Sequence, residues 1–120
     1  MGNRRLVNRK IIFLSAEEKI EAHITSNIVT DIYYIACCHY MRESEARDML
    51  HRLLKIVSVL NVEHRDCLKA FELPMDDYED ALLAVCAKRS NADFIVTRDV
   101  EHFKDSPVSP ISPGDFLQSL

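Results

Sequence analysis

The chain has 120 residues, 48% of them hydrophobic and 28% charged, which supplies enough apolar content for a core and suits one domain rather than two. A net charge of −4 gives no global basic footprint for holding nucleic acid by bulk electrostatics. The two glycines, Gly2 and Gly114, leave none between them, so a phosphate-cradling loop of the GxxxxGK[ST] or GxGxxG kind is excluded.

Arg4, Arg5, Arg9 and Lys10 open the chain with no acid among them. Leu6, Val7, Ile11, Ile12 and Leu14 follow helical spacing and predict a helix over 4–17, ending in Glu17-Glu18-Lys19. Residues 21–25 form a short strand candidate. Thr25 or Ser26 then caps a predicted helix to about Met41 that is apolar nearly all round and therefore expected to be buried on most faces. Residues 43–56 read as an amphipathic helix with Ala46, Leu50, Leu53, Leu54 and Val57 on one side, and β-branched content predicts a strand over 57–62. A short helix over 64–72 ends before Pro74.

Glu72, Asp76, Asp77, Glu79 and Asp80 then crowd a stretch with no base. Asp76 with Glu79 reads as an aspartate version of the capping box, opening a helix over 77–91. Residues 94–97 form a short buried strand and 100–103 a single turn. Residues 108–111 form a strand that Pro110 places at a sheet edge, and Pro113 starts a last turn. Strands alternating with helices imply an α/β fold with a mainly parallel sheet, as one domain over 1–120.

Cys37, Cys38, Cys67 and Cys86 form no CxxC pair, and the five histidines make no HxxxH, which argues against a zinc site and a disulfide framework. Buried free thiols fit a reducing cytosol. The apolar run Ile32 to Cys38 falls far short of the roughly 20 residues a membrane span needs. The basic start lacks the apolar stretch of a signal peptide. A soluble cytoplasmic protein is expected.

Three carboxylates stand out. Asp31 is the one charged side chain between Glu21 and Arg42, in the most apolar helix of the chain. Burial there is costly unless the group is paired or metal-bound, and the plain alternative is an exposed acid helped by the helix N-terminus. Asp77 and Asp80 stand three apart on one helix and share a side, with Asp80 facing the start of the apolar run Ala-Leu-Leu-Ala-Val-Cys-Ala. Capping accounts for Asp76 and Glu79, and the helix dipole for Asp77. Asp99 follows a strand directly, in Val-Thr-Arg-Asp, where α/β sheets bind ligands; taken alone it is an N-cap for the next turn. In a parallel sheet all three can converge at the carboxyl edge. Such an all-oxygen set suits Mg²⁺ or Mn²⁺ and phosphodiester hydrolysis, with Arg98 near enough in sequence to contact phosphate.

Ile24-Thr25-Ser26 leading into Thr30-Asp31-Ile32-Tyr33-Tyr34-Ile35, then Asp77-Tyr78-Glu79-Asp80-Ala81-Leu82, then Ile95-Val96-Thr97-Arg98-Asp99 with Phe103, resembles a PIN domain of the bacterial group related to toxins of toxin–antitoxin pairs. The resemblance covers about residue 5 to the C-terminus. It implies a Rossmann-like α/β/α sandwich and a metal-dependent ribonuclease acting on single-stranded RNA. It carries the acidic ligands to Asp31, Asp80 and Asp99, with Asp77 auxiliary, and gives Ser26 and Thr97 hydroxyls that support the acids. It also implies an antitoxin protein as a possible partner and a homo-oligomer.

Two departures bear on activity. Position 31 often holds Glu in that family, so Asp31 has a shorter reach. Family members also begin with a strand of the form apolar-apolar-Asp-x-Asn whose Asp is a principal ligand, and Asp31 is the first aspartate here. One central strand too few leaves unpaired inner edges. The expected remedies are a rearranged sheet, substitution by Leu6-Val7, a second chain, or a start upstream. The matching alternative function is an N-terminally truncated, inactive PIN-like module that acts by protein binding or dimerisation.

Overall fold

The computed structural model describes residues 17–120, which fall into two compact units, 17–61 and 62–120. The predicted helix over 4–17 and the Leu6-Val7 segment lie essentially outside the described residues.

In the first unit, strand β1 (His23–Thr25) leads through a 3-10 turn (Ser26–Ile28) into α1 (Val29–His39), then α2 (Glu43–Ile56) and β2 (Ser58–Leu60). β1 and β2 pair in parallel, with His23 opposite Ser58 and Thr25 opposite Leu60. A parallel pair needs a long crossover, and the two helices provide it. The sequence places the helix start at Thr25 or Ser26. The structure delays it to Val29, and Thr25 makes no side-chain capping bond. Its hydroxyl is buried and has no hydrogen-bond partner among the described residues.

The expectation of broad burial for α1 is also corrected. Ala36 is its one buried residue, while Tyr34, Ile35 and the following Tyr40 are exposed. Among the described residues of its unit, α1 packs on one other helix, α2, and a single helix–helix contact covers one stripe only. α2 matches its predicted bounds. Arg42 opens it with a backbone N–H donated to Glu45 at 3.2 Å, and Ala46 is fully buried.

In the second unit, α3 (His64–Lys69) runs into a 3-10 turn (Ala70–Glu72), followed by α4 (Tyr78–Arg89), β3 (Ile95–Val96), a 3-10 turn (Val100–Phe103), β4 (Pro110–Ile111) and α5 (Pro113–Gln118). α4 is the centre of this unit. Ala81, Leu82, Val85 and Cys86 pack with Ala70 in one cluster, and Ala84 and Ala87 pack with Ile95, Phe103 and Val108 in another. Three alanines in this helix, Ala81, Ala84 and Ala87, let neighbours approach from both sides. β3 and β4 are parallel, with Ile95 opposite Pro110 and Val96 opposite Ile111. Ser112 caps α5 by accepting the Asp115 N–H at 3.1 Å.

The end of α4 shows how a stretch without glycine turns. Asn91 adopts the left-handed conformation at φ 59°, a position where asparagine is the usual substitute for glycine. The Ala92 N–H then reaches the Ala87 carbonyl at 3.0 Å and the Asn91 N–H reaches Lys88 at 3.1 Å, closing a Schellman motif.

A buried ion pair ties α3 to α4. Asp66, 2% exposed, receives Arg89 Nε at 3.0 Å and lies 3.0 Å from a second guanidinium nitrogen. The Glu63 N–H donates to the same carboxylate at 2.9 Å. Burial pushes the Asp66 carboxyl up, but Arg89 and the Glu63 N–H together outweigh it and hold the group below its ordinary range. Burial, with Asp66 beside it, pushes the Cys86 thiol up to about 11, so it stays protonated.

The architecture is thus helix-rich α/β with short parallel strands, consistent with the PIN-like class. Among the described residues the strands form two separate parallel pairs, one per unit. No helix of the described residues is long and apolar enough to cross a membrane.

Candidate active site

The start of α4 is set by one side chain. Asp77 has extended backbone (φ −94°, ψ 121°), and its Oδ1 accepts the Asp80 N–H at 2.9 Å. The cap is therefore Asp77, where the sequence pattern pointed to Asp76 with Glu79. Asp77 has the extended backbone an N-cap needs. Capping draws Asp77 and Asp80 together at the first turn, next to the buried run from Ala81 to Ala87.

Asp99 arrives from another direction. It ends the segment after β3, and its backbone N–H donates to Thr97 Oγ1 at 3.0 Å. It occupies the position before the 3-10 turn Val100–Phe103, yet its carboxylate makes no capping bond. The expected N-cap use of Asp99 is therefore not realised. Phe103, 4% exposed, anchors that turn in the cluster with Ala84, Ala87 and Ile95.

These groups act on one another. Partial burial, then the charge of Asp77 and with it that of Asp99, holds the Asp80 carboxyl above its ordinary range, while His102 pulls it back down. Sequence reading singled out Asp77, Asp80 and Asp99 but missed His102. The available signal was its place three residues after Asp99 in a 3-10 turn, where i and i+3 eclipse. The His102 N–H donates to the Asp99 carbonyl at 3.0 Å. Arg98 is exposed beside Asp99.

Asp31 and Ser26 belong to the other unit. Asp31 stands in the first turn of α1 and is exposed, so no burial cost has to be met. The helix begins later than the sequence suggests, which moves Asp31 toward the favourable end of the helix dipole. Ser26 opens the 3-10 turn after β1.

The donor set of Asp80 and Asp99 fits a hard divalent cation in kind. Mg²⁺ is commonly held by one or two carboxylates and keeps several waters. A cation would also relieve the repulsion that raises Asp80. Among the described residues, no group of three or more His, Cys, Asp or Glu side chains is drawn together around an ion position.

The family model of the PIN domain matches residues 5–101, a span that contains Asp31, Asp77, Asp80 and Asp99. The chain belongs to the PIN domain family. PIN domains are generally nucleases and typically use divalent metal ions. No curated protein matches the chain.

Proposed function

We propose that this chain is a Mg²⁺- or Mn²⁺-dependent ribonuclease that hydrolyses single-stranded RNA, in the manner of the PIN toxins of toxin–antitoxin pairs, in the cytoplasm. The observation that carries this reading is Asp80, partly buried at the start of α4 with the charges of Asp77 and Asp99 upon it. Asp80 and Asp99 would hold the ion, with Asp77 auxiliary through the carboxylate oxygen its cap leaves free. A bound divalent ion supplies an activated water and positive charge for phosphodiester hydrolysis. The chain's own groups do the rest. Thr97 Oγ1 fixes the turn that presents Asp99. Arg98, exposed beside it, is suited to a phosphate oxygen through a charge-assisted hydrogen bond. Asp31 and Ser26 stay in the proposal as a further ligand and a supporting hydroxyl.

The test is cleavage of a labelled single-stranded RNA by the purified chain with Mn²⁺, with Mg²⁺ and with EDTA. Metal-dependent cleavage lost in Asp80→Asn and in Asp99→Asn supports the reading, and Asp31→Asn in the same assay decides whether that residue belongs. Wild type that neither cleaves with either metal nor gains thermal stability from them sinks it.

A second reading, a catalytically silent PIN-like module that works through an antitoxin or a second copy of itself, is favoured by the exposed Tyr34, Ile35 and Tyr40 of the α1 region. Sedimentation decides: a monomer at high concentration counts against self-association.

A further inference from the structure

The second unit carries a patch of exposed apolar side chains away from its core: Leu68 on α3, 59% exposed, Phe71 in the turn after it, 75% exposed, and Tyr78 at the first position of α4, 40% exposed. Phe71 and Tyr78 are in ring contact, with centroids 4.6 Å apart. The Tyr78 hydroxyl donates to the Cys67 carbonyl at 2.6 Å, which ties the start of α4 to α3 and holds the patch as one surface. Two rings and a leucine left this open forfeit the burial they normally gain. An apolar patch with a polar rim marks a contact surface.

The rim has one sign. Glu72, Asp76, Asp77 and Glu79 stand beside the rings in the chain and are exposed. Arg65 is bound to Glu63 at 2.6 Å, and Lys69 is the one basic residue between Arg65 and Lys88. A cover for this patch therefore has to bring apolar side chains together with cations. A phosphate backbone carries the wrong charge for it.

The chain's own sequence contains a stretch of that composition. Arg4, Arg5, Arg9 and Lys10 fall close together, and no acid precedes Glu17. At helical spacing Val7, Ile11 and Leu14 share one stripe, with Arg4 on one flank and Lys10 on the other. An apolar centre with cationic edges is the complement of an apolar centre with an acidic rim.

We infer that the Leu68–Phe71–Tyr78 patch is the docking surface for residues 4–14 of the same chain, a segment outside the described residues, with its apolar stripe on the rings and its cations toward Glu72, Asp76 and Glu79. This contact is independent of the ribonuclease reading and is tested without RNA or metal.

The chain contains no tryptophan, so Phe71→Trp places a single indole emitter in the patch of the full-length protein. Its emission should be blue-shifted and poorly quenched by acrylamide, equally so at low and high protein concentration. Adding Arg4→Glu and Lys10→Glu should move the emission to the red and raise acrylamide quenching severalfold while circular dichroism stays native. Reversing the rim as well, with Glu72→Lys and Asp76→Lys, should restore the shielding. Salt should weaken it in the parent and not in the doubly reversed-charge Arg4→Glu, Lys10→Glu chain. Where charge reversal unfolds the chain, Arg4→Gln with Lys10→Gln gives the same reading in milder form. An indole as open in the parent as in the variants overturns the inference, and so does shielding that ignores the charges at positions 4 and 10. Shielding that grows with protein concentration also overturns it, because the cover then comes from a second copy.

Discussion

Asp77 Oδ1 accepts the Asp80 backbone N–H at 2.9 Å, so the bond that starts α4 also sets two carboxylates beside each other. Cap and candidate ligand are thus entangled in one side chain, and substitution can separate them. Asp77→Ala should cost about 1 kcal/mol in urea unfolding, the usual value of an N-cap. Asp77→Asn retains a capping oxygen and should stay close to wild type in stability. If its cleavage rate nevertheless falls, the negative charge of Asp77 contributes to the site. If the rate is unchanged, Asp77 is a cap and nothing more.

Asp80 should trade stability for function. Its carboxyl is held above the ordinary value of 3.8, chiefly by burial and then by Asp77. Folding therefore disfavours the ionised form. The penalty is absent well below pH 3.8, grows as pH rises through the raised value, and is complete at neutral pH. Asp80→Asn in EDTA should be more stable than wild type at pH 7 by up to about 1 kcal/mol, with the gain vanishing in acid. Mn²⁺ should raise the wild-type Tm through binding to the folded state and leave the variant unmoved. A variant less stable than wild type at pH 7 would contradict the account.

The Asp66–Arg89 pair should respond asymmetrically to loss of either member. Arg89→Met leaves Asp66 buried at 2% exposure with no cation, at a cost of about 3 kcal/mol or more. Asp66→Asn leaves Arg89, whose side chain is 26% exposed, with water and with Glu63 at 3.6 Å, and should cost less. The double variant should recover part of the Arg89→Met loss, which a double-mutant cycle measures. Because Asp66 is held below its ordinary 3.8, its contribution is present above that pH and disappears as pH falls through the lowered value. The gap between wild type and Asp66→Asn should therefore close in strong acid.

Much of this was legible in the sequence where one local signal dominated. The amphipathic period gave α2 its bounds, Pro74 marked the break before α4, and the run from Ala81 to Ala87 announced a helix buried from two sides. The PIN resemblance rested on motifs that, Phe103 apart, the family model also spans. Failures arose where tertiary context decides. Asp76 and Asp77 are equivalent by pattern, and only the extended backbone of Asp77 makes it the cap. An apolar helix such as α1 reads as buried, but composition does not say how many partners it packs against. Asp66 gave no warning, because its partner Arg89 stands 23 residues away on another helix. His102 was missed for a similar reason: its spacing from Asp99 was in view, but its relation to Asp80 depends on a turn that Phe103 pins to the core.

That pinning is the last relationship open to test. Phe103 is 4% exposed and packs with Ala84, Ala87, Ile95 and Val108, while Asp99 and His102, beside it in the chain, both act electrostatically on the Asp80 carboxyl. The ring therefore holds a piece of the proposed site in register with α4. Phe103→Ala should cost about 3–5 kcal/mol from lost burial and the cavity left behind. Phe103→Leu keeps most of the volume and should cost about 1.5 kcal/mol or less. The informative readout is Mn²⁺ binding by the folded Phe103→Leu chain at low temperature. If Asp99 depends on the turn for its placement, Mn²⁺ affinity should fall several-fold while circular dichroism stays native. Unchanged affinity would show that Asp99 keeps its place through Thr97 alone.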